Sequence, residues 1–190
     1  MIEHNYKNVE GWFNMEQQYI ELLDKTPENG IFVELGAYKG KSTSFIVTEI
    51  LNRKRNINFY TVDTFGGVSE ISDEKEIIAY SKVNISNIYE DFLNSTNHLK
   101  DNFEVIVSTS DKAASNFEDN TVDAIFIDAG HSFEAVLADI QAWYPKMKNG
   151  SIMSGHDYKA WEGVNKAFKA YFNTNPDKVE NDCWFIQINK

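Results

Sequence analysis

The sequence predicts an α/β fold, a doubly wound and mostly parallel sheet, on three observations. Short apolar runs alternate with segments of helical period. The runs lack strict polar alternation, which is the pattern of strands covered by helices on both faces. A glycine-bearing turn follows the first run and an acid closes the second, and doubly wound sheets bind ligands at such strand ends.

Five runs read as core strands: Ile31 to Leu35, Phe59 to Val62, Phe103 to Val107, Ala124 to Ile127, and Ile152 to Met153. Trp12, Met15, Tyr19, Leu22 and Leu23 mark a helix in an N-terminal extension spanning residues 1–28. A further helix is expected from Asn87 to Lys100. The clearest one runs from Phe133 to Met147, with Val136, Leu137, Ile140, Trp143 and Tyr144 completing its apolar stripe. Ser132 is placed to cap its start, and Asn149-Gly150 to supply a left-handed stop. Trp161, Val164, Phe168, Tyr171 and Phe172 mark a helix ending before Pro176. Beyond it, Lys178 to Glu180, the turn-forming Asn181-Asp182 and Cys183 to Ile188 read as an antiparallel hairpin that finishes the sheet. The irregular stretch 64–86, with Gly66-Gly67 and the acids from Glu70 to Glu76, is the expected lid over a site.

A chain of 190 residues suits a single domain, and 42% hydrophobic with 14% aromatic residues is ample for a packed core. The net charge of -11 repels polyphosphates, and the basic residues form no stripe, so nucleic acid is not an expected partner. No apolar run reaches the ~18 residues of a membrane span, and the N-terminus lacks a signal-peptide pattern. A cytoplasmic protein without a membrane partner is expected. Cys183, alone and in an apolar run, reads as a small buried hydrophobe. Trp12 and Phe13 on the N-terminal helix offer a surface that would cover a neighbour in a homo-oligomer.

The strongest chemical signal is Glu34-Leu35-Gly36-Ala37-Tyr38-Lys39-Gly40-Lys41-Ser42 at the first strand's end. Glycines there let the backbone turn tightly and approach a ligand, and Ser42 can cap the next helix with its N-terminus facing the site. A phosphate-binding Walker loop needs four residues between its glycines, whereas three separate Gly36 from Gly40. A dinucleotide fingerprint needs a second glycine where Tyr38 stands. Asp63 ends the second strand, where a carboxylate accepts hydrogen bonds from ribose hydroxyls.

Together with Phe126-Ile127-Asp128-Ala129-Gly130-His131-Ser132-Phe133-Glu134-Ala135-Val136, Asp139, Trp143, Asn149-Gly150 and Gly155-His156-Asp157-Tyr158, these residues resemble the class I S-adenosylmethionine-dependent methyltransferases. The resemblance runs from about Ile31 to Phe172 and is to the branch containing macrolide-sugar O-methyltransferases. It implies a seven-stranded sheet with an antiparallel last strand and S-adenosylmethionine as cofactor. By the same resemblance Glu34, Gly36 and Gly40 shape the methionine and ribose pocket, with Ser42 at its helix and Asp63 on the ribose. Ser110 and Asp111 lie near adenine, and Asp128 lies at the cofactor as well. The implied acceptor is a hydroxyl on a small molecule or sugar.

Asp128 ends the fourth strand and Asp157 follows the fifth, and neighbouring strands lie about 4.8 Å apart, so the two carboxylates can share a Mg²⁺ or another divalent metal. His156 beside Asp157 is the third candidate ligand, and a histidine shifts the preference toward Mn²⁺, Fe²⁺ or another transition metal. His131, three residues beyond Asp128, is the candidate general base for a hydroxyl nucleophile. Two alternatives use the same fold. A hydroxylase-like metalloenzyme would draw on His131, His156 and Asp128 as a two-histidine, one-carboxylate set. A non-catalytic module would bind S-adenosylmethionine without using that set.

Overall fold

The computed structural model describes residues 1–66 and 86–190. Its strands are β1 (Ile31–Leu35), β2 (Asn58–Asp63), β3 (Glu104–Val107), β4 (Val122–Ile127), β5 (Met147–Gly155), β6 (Lys178–Glu180) and β7 (Cys183–Gln187). The helices are α1 (Glu16–Lys25), α2 (Lys41–Asn52), α3 (Ile88–Thr96), α4 (Ser110–Ala113), α5 (Phe133–Trp143) and α6 (Glu162–Phe172). The strands form one seven-stranded sheet of order β3-β2-β1-β4-β5-β7-β6. β1 to β5 are parallel, while β7 runs antiparallel to both β5 and β6. Among the described residues no helix is long and apolar enough to cross a membrane.

The order of the strands locates the crevice. From β1 the chain winds outward through β2 and β3, then returns to lay β4 on the other side of β1. Connections from β1 and β4 therefore diverge, and a cleft opens at their carboxyl ends.

Alternation along the strands sorts side chains onto two cores. Val33, Leu35, Ile125, Ile127, Trp184 and Ile186 face the layer of α4, α5 and α6. Phe32, Phe59, Ala124, Phe126, Cys183 and Phe185 face the layer of α1 and α2. Cys183 is fully buried, as its apolar run suggests. The hairpin turn places Asn181 and Asp182 at φ 48° and 62°, both left-handed, which the twist of a two-residue hairpin requires.

Several boundaries differ from the periodicity. The helix expected from Trp12 begins at Glu16, because Phe13 packs among Tyr6, Tyr19 and Phe45 and draws the preceding segment into an extended path. Gly11, at φ 131°, sits against the Tyr38 ring in that segment. The helix from Phe133 stops at Trp143 rather than Met147, since Pro145 cannot donate to the helical ladder. Gly150 is left-handed at φ 83° but lies within β5, which starts at Met147 and is irregular where it pairs with β4. The helix from Asn87 gives way to a 3-10 turn after Thr96. Of the expected lid, residues 67–85 lie outside the described residues.

At the crevice, Gly36 has φ 91°, and a Cβ built there would stand 2.0 Å from the main-chain oxygen of Asp128. Backbone cannot yield as a side chain can. Gly36→Ala should therefore lower the unfolding free energy by more than the ~1–3 kcal/mol of a strained dihedral alone. Urea denaturation measures this, and an unchanged midpoint would show that the two strand ends do not meet.

Candidate active site

The floor of the cleft is built where β1, β2 and β4 end together. The Gly36 amide donates to the Val62 carbonyl at 2.9 Å, and the Asp128 amide to the Leu35 carbonyl at 2.8 Å. The Asp63 carboxylate closes the turn: Oδ2 accepts from the amides of Ala37 at 2.8 Å and Tyr38 at 2.9 Å, while Oδ1 accepts from Phe65 at 2.7 Å. Asp63 thus fixes the glycine turn to the second strand. Two carboxylate oxygens offer about four acceptor positions, so these three bonds leave capacity for a ligand hydroxyl.

Gly40, at φ 85°, is the cap residue of α2. A Cβ on it would press on Thr96, Ser95 and Phe92 of α3. Ser42 does not cap the helix as its type suggests, because α2 begins one residue earlier, at Lys41. Its hydroxyl instead acts on Glu34.

Glu34 is fully buried. The pleat that turns Phe32 toward α1 and α2 turns Glu34 the same way. Its Oε1 accepts from Tyr19 Oη at 2.9 Å, and its Oε2 from Thr43 at 2.5 Å and Thr61 at 2.8 Å. Burial pushes its carboxyl above the usual range, against the opposing hydroxyls of Ser42, Thr43, Thr61 and Tyr19. Glu34 therefore ties α1, α2 and β2 together under the turn, and the turn itself lines the cleft.

Sequence reading passed over Lys39. It is buried, with Nζ 2.7 Å from Glu10 and 2.9 Å from Asp91. Ser95 Oγ donates to its carbonyl at 2.5 Å. The turn is thus clamped between the N-terminal segment and α3. No spacing rule reveals this, since a lysine in a polar turn normally lies in solvent.

On the β4–β5 side, one ligand atom from each of Asp128, His131 and Asp157 lies within 4.8 Å of the others. His156, Asp157 and Asp182 form a second such group. His131 Nε2 stands 3.0 Å from Asp157 Oδ2. His156 Nδ1 stands 3.2 Å from Asp157 Oδ1 and 4.0 Å from Asp128 Oδ1. Asp157 is left-handed at φ 63°. Although burial raises its pKa, hydrogen bonds from His131 and His156 hold it well below the usual carboxylate range. Asp128 has the opposite balance: burial pushes it up to about 6, helped by the Asp157 charge and opposed by His156. For His156, burial alone would lower the pKa, but Asp157, Asp128 and Asp182 raise it.

Asp182 was legible only as a turn residue. It enters because β7 pairs with β5, and its carboxylate also accepts from the amides of Lys159 at 2.5 Å and Ala160 at 3.2 Å. Trp161 stacks on His131, with centroids 4.9 Å apart and an interplanar angle of 11°. Tyr158 turns its ring into the core against Phe168. Ser110 and Asp111 open α4 after β3, next to β2 and hence to Asp63. Asp111 is exposed, and the Thr109 hydroxyl lowers its pKa.

The sequence matches the methyltransferase-domain family over residues 33–158. No curated protein is significantly similar to it. Among solved structures, the O-methyltransferase NovP is 16% identical with a TM-score of 0.70, covering 98% of this chain and 80% of that one. CalS11, a TDP-rhamnose 3'-O-methyltransferase of calicheamicin biosynthesis, is 15% identical with a TM-score of 0.59, covering 92% and 78%. SMU.1697c of Streptococcus mutans, in complex with SAH, is 11% identical with a TM-score of 0.58, covering 93% and 97%. At these identities the likeness speaks for the fold. The family match takes in both the glycine turn and the Asp128–Asp157 cluster, and the chain belongs to the class I S-adenosylmethionine-dependent methyltransferases.

Proposed function

We propose that this enzyme transfers the methyl group of S-adenosylmethionine to a hydroxyl of a small-molecule or sugar acceptor, with His131 as general base. One observation carries the reading. A glycine turn latched by Asp63 and a histidine–carboxylate cluster stand at the carboxyl ends of adjacent strands, so a ligand crossing one reaches the other.

In this reading Asp63 accepts a ribose hydroxyl, the backbone of residues 36–40 passes along the methionine, and Asp128 closes the sulfonium end. The His131–Asp157 contact orients the base, with Nε2 3.0 Å from Asp157 Oδ2. The acceptor oxygen attacks the methyl carbon in line as the carbon–sulfur bond breaks. Its proton passes to His131, and Asp157 stabilises the imidazolium. The products are a methyl ether and neutral S-adenosylhomocysteine. Trp161 keeps the ring in place by stacking. The enzyme acts in the cytoplasm as one catalytic domain.

The Asp128, His131 and Asp157 atoms also fit a divalent cation, being two hard oxygens and one imidazole at mutual distances suited to a single ion. His156 is the further nitrogen beside them. Such an ion would make the acceptor hydroxyl more acidic. Among the described residues, both histidine–carboxylate groups contain one histidine and two carboxylates.

Calorimetry with S-adenosylhomocysteine is expected to show one site per chain, and no binding would end the reading. Methyl transfer from labelled S-adenosylmethionine, assayed against nucleotide sugars and small hydroxylated compounds, should fall about 10²–10⁴-fold in His131→Ala. An undiminished rate across pH would remove His131 from the base role. With an ion in the cluster, EDTA lowers turnover and Mn²⁺ restores it better than Mg²⁺; indifference to EDTA would exclude a required metal.

The raised pKa of Asp128 has its own consequence in the unliganded protein. Its folded pKa of about 6 exceeds the 3.8 of the free side chain, so its favourable contribution is fully present below about pH 4 and is lost as the pH rises through 6. Asp128→Asn should stabilise the protein on the order of 2–3 kcal/mol at pH 8 and less at pH 5, by urea denaturation. Equal effects at both values would contradict the burial argument.

A further inference from the structure

Asp139 is an acid buried outside the cluster, with no cation paired to it among the described residues. It lies on α5 one turn before Trp143, and both side chains grip Ser110. The Asp139 carboxylate accepts from the Ser110 hydroxyl, and Trp143 Nε1–H donates to the Ser110 carbonyl at 2.9 Å. Burial pushes Asp139 up to about 7, opposed by the Ser110 hydroxyl and aided by the charge of Asp111, the one charged group acting on it from α4.

A buried carboxyl is an expensive way to fill a helix–helix contact, since an apolar side chain of similar size would cost less. Its position gives it a use. Ser110 opens the turn after β3, and the Ser108 amide in that turn donates to the Asp63 carbonyl at 3.1 Å. The same α5 is capped by Ser132, whose hydroxyl accepts from the Ala135 amide at 3.2 Å, directly after His131. One rigid helix therefore holds the cluster at its start and the 108–111 turn roughly 10 Å further along.

We propose that Asp139, together with Trp143, is a positioning residue for the purine end of the cofactor site. By fixing Ser110 it presents the amides of the 108–111 turn and the Asp111 carboxylate to the edge of the adenine, whose ring nitrogens accept and whose amino group donates. This rests on the cofactor reading above, and deepens it by assigning a residue that touches no part of the ligand.

The test is calorimetric titration of S-adenosylhomocysteine and of adenosine into wild type, D139N, S110A and the double variant at pH 6 and pH 8, with melting curves for each protein. D139N should weaken both ligands by a similar factor, about 10-fold or more at pH 8, where the anion makes the stronger bond to Ser110. The deficit should shrink at pH 6, where the protonated acid resembles the amide. S110A should lose a comparable factor, and the double variant no more than the worse single one, since both act on one bond. Should D139N fail to fold, S110A tests the same contact from the other side. Wild type binding neither ligand would refute the cofactor reading itself. Wild type binding with D139N and S110A equal to it would refute the role of Asp139 alone.

Discussion

The close passage of two backbones at the centre of the sheet governs the rest of this molecule. Strand β1 ends at Gly36 in a conformation open to glycine, and the missing Cβ lets the main chain of Asp128 lie against it. Because β1 and β4 are neighbours whose connections depart in opposite directions, the same contact defines the cleft. The Asp63 carboxylate then holds the turn to β2 through two main-chain amides. A ligand laid across this edge meets a surface already set in shape, which reduces the ordering cost of binding.

Charges around the cleft are arranged at some expense to stability. Asp128 is kept where burial disfavours its anion, while Asp157 next to it is stabilised by two histidines. Two acids so close and so differently held suit the proton transfer or cation binding proposed for this cluster. Glu34 shows the contrasting use of a buried acid. Three hydroxyls satisfy it and it joins two helices to the sheet, which makes it part of the scaffold under the turn.

Much of this could be read from the residues, and the remainder could not for identifiable reasons. Strand β1 matched its apolar run because both faces are covered, whereas β5 is far longer than Ile152-Met153, since after Met147 it runs through Lys148, Asn149 and Gly150 where its register with β4 shifts. The alternation that buries Phe32 also buries Glu34, so the direction of that acid was legible in principle from its neighbour. Ser42 misled because the capping preference names a residue type and not the residue at which the helix begins. Asp182 was invisible as a site residue, since only the pairing of β7 with β5 brings it to Asp157. The same holds for the Lys39 clamp, which depends on Glu10 and Asp91 arriving from distant parts of the chain.

The account stands on the turn after β1 and the acid ending β2 acting as one cofactor cradle. A crystal structure of the protein with S-adenosylhomocysteine tests that most directly. The ribose should hydrogen-bond to Asp63, the homocysteine should pass over Gly36, and the sulfur should point toward the Asp128–His131–Asp157 group. A nucleoside bound elsewhere on the sheet, or a cleft that stays empty at saturating ligand, would contradict it.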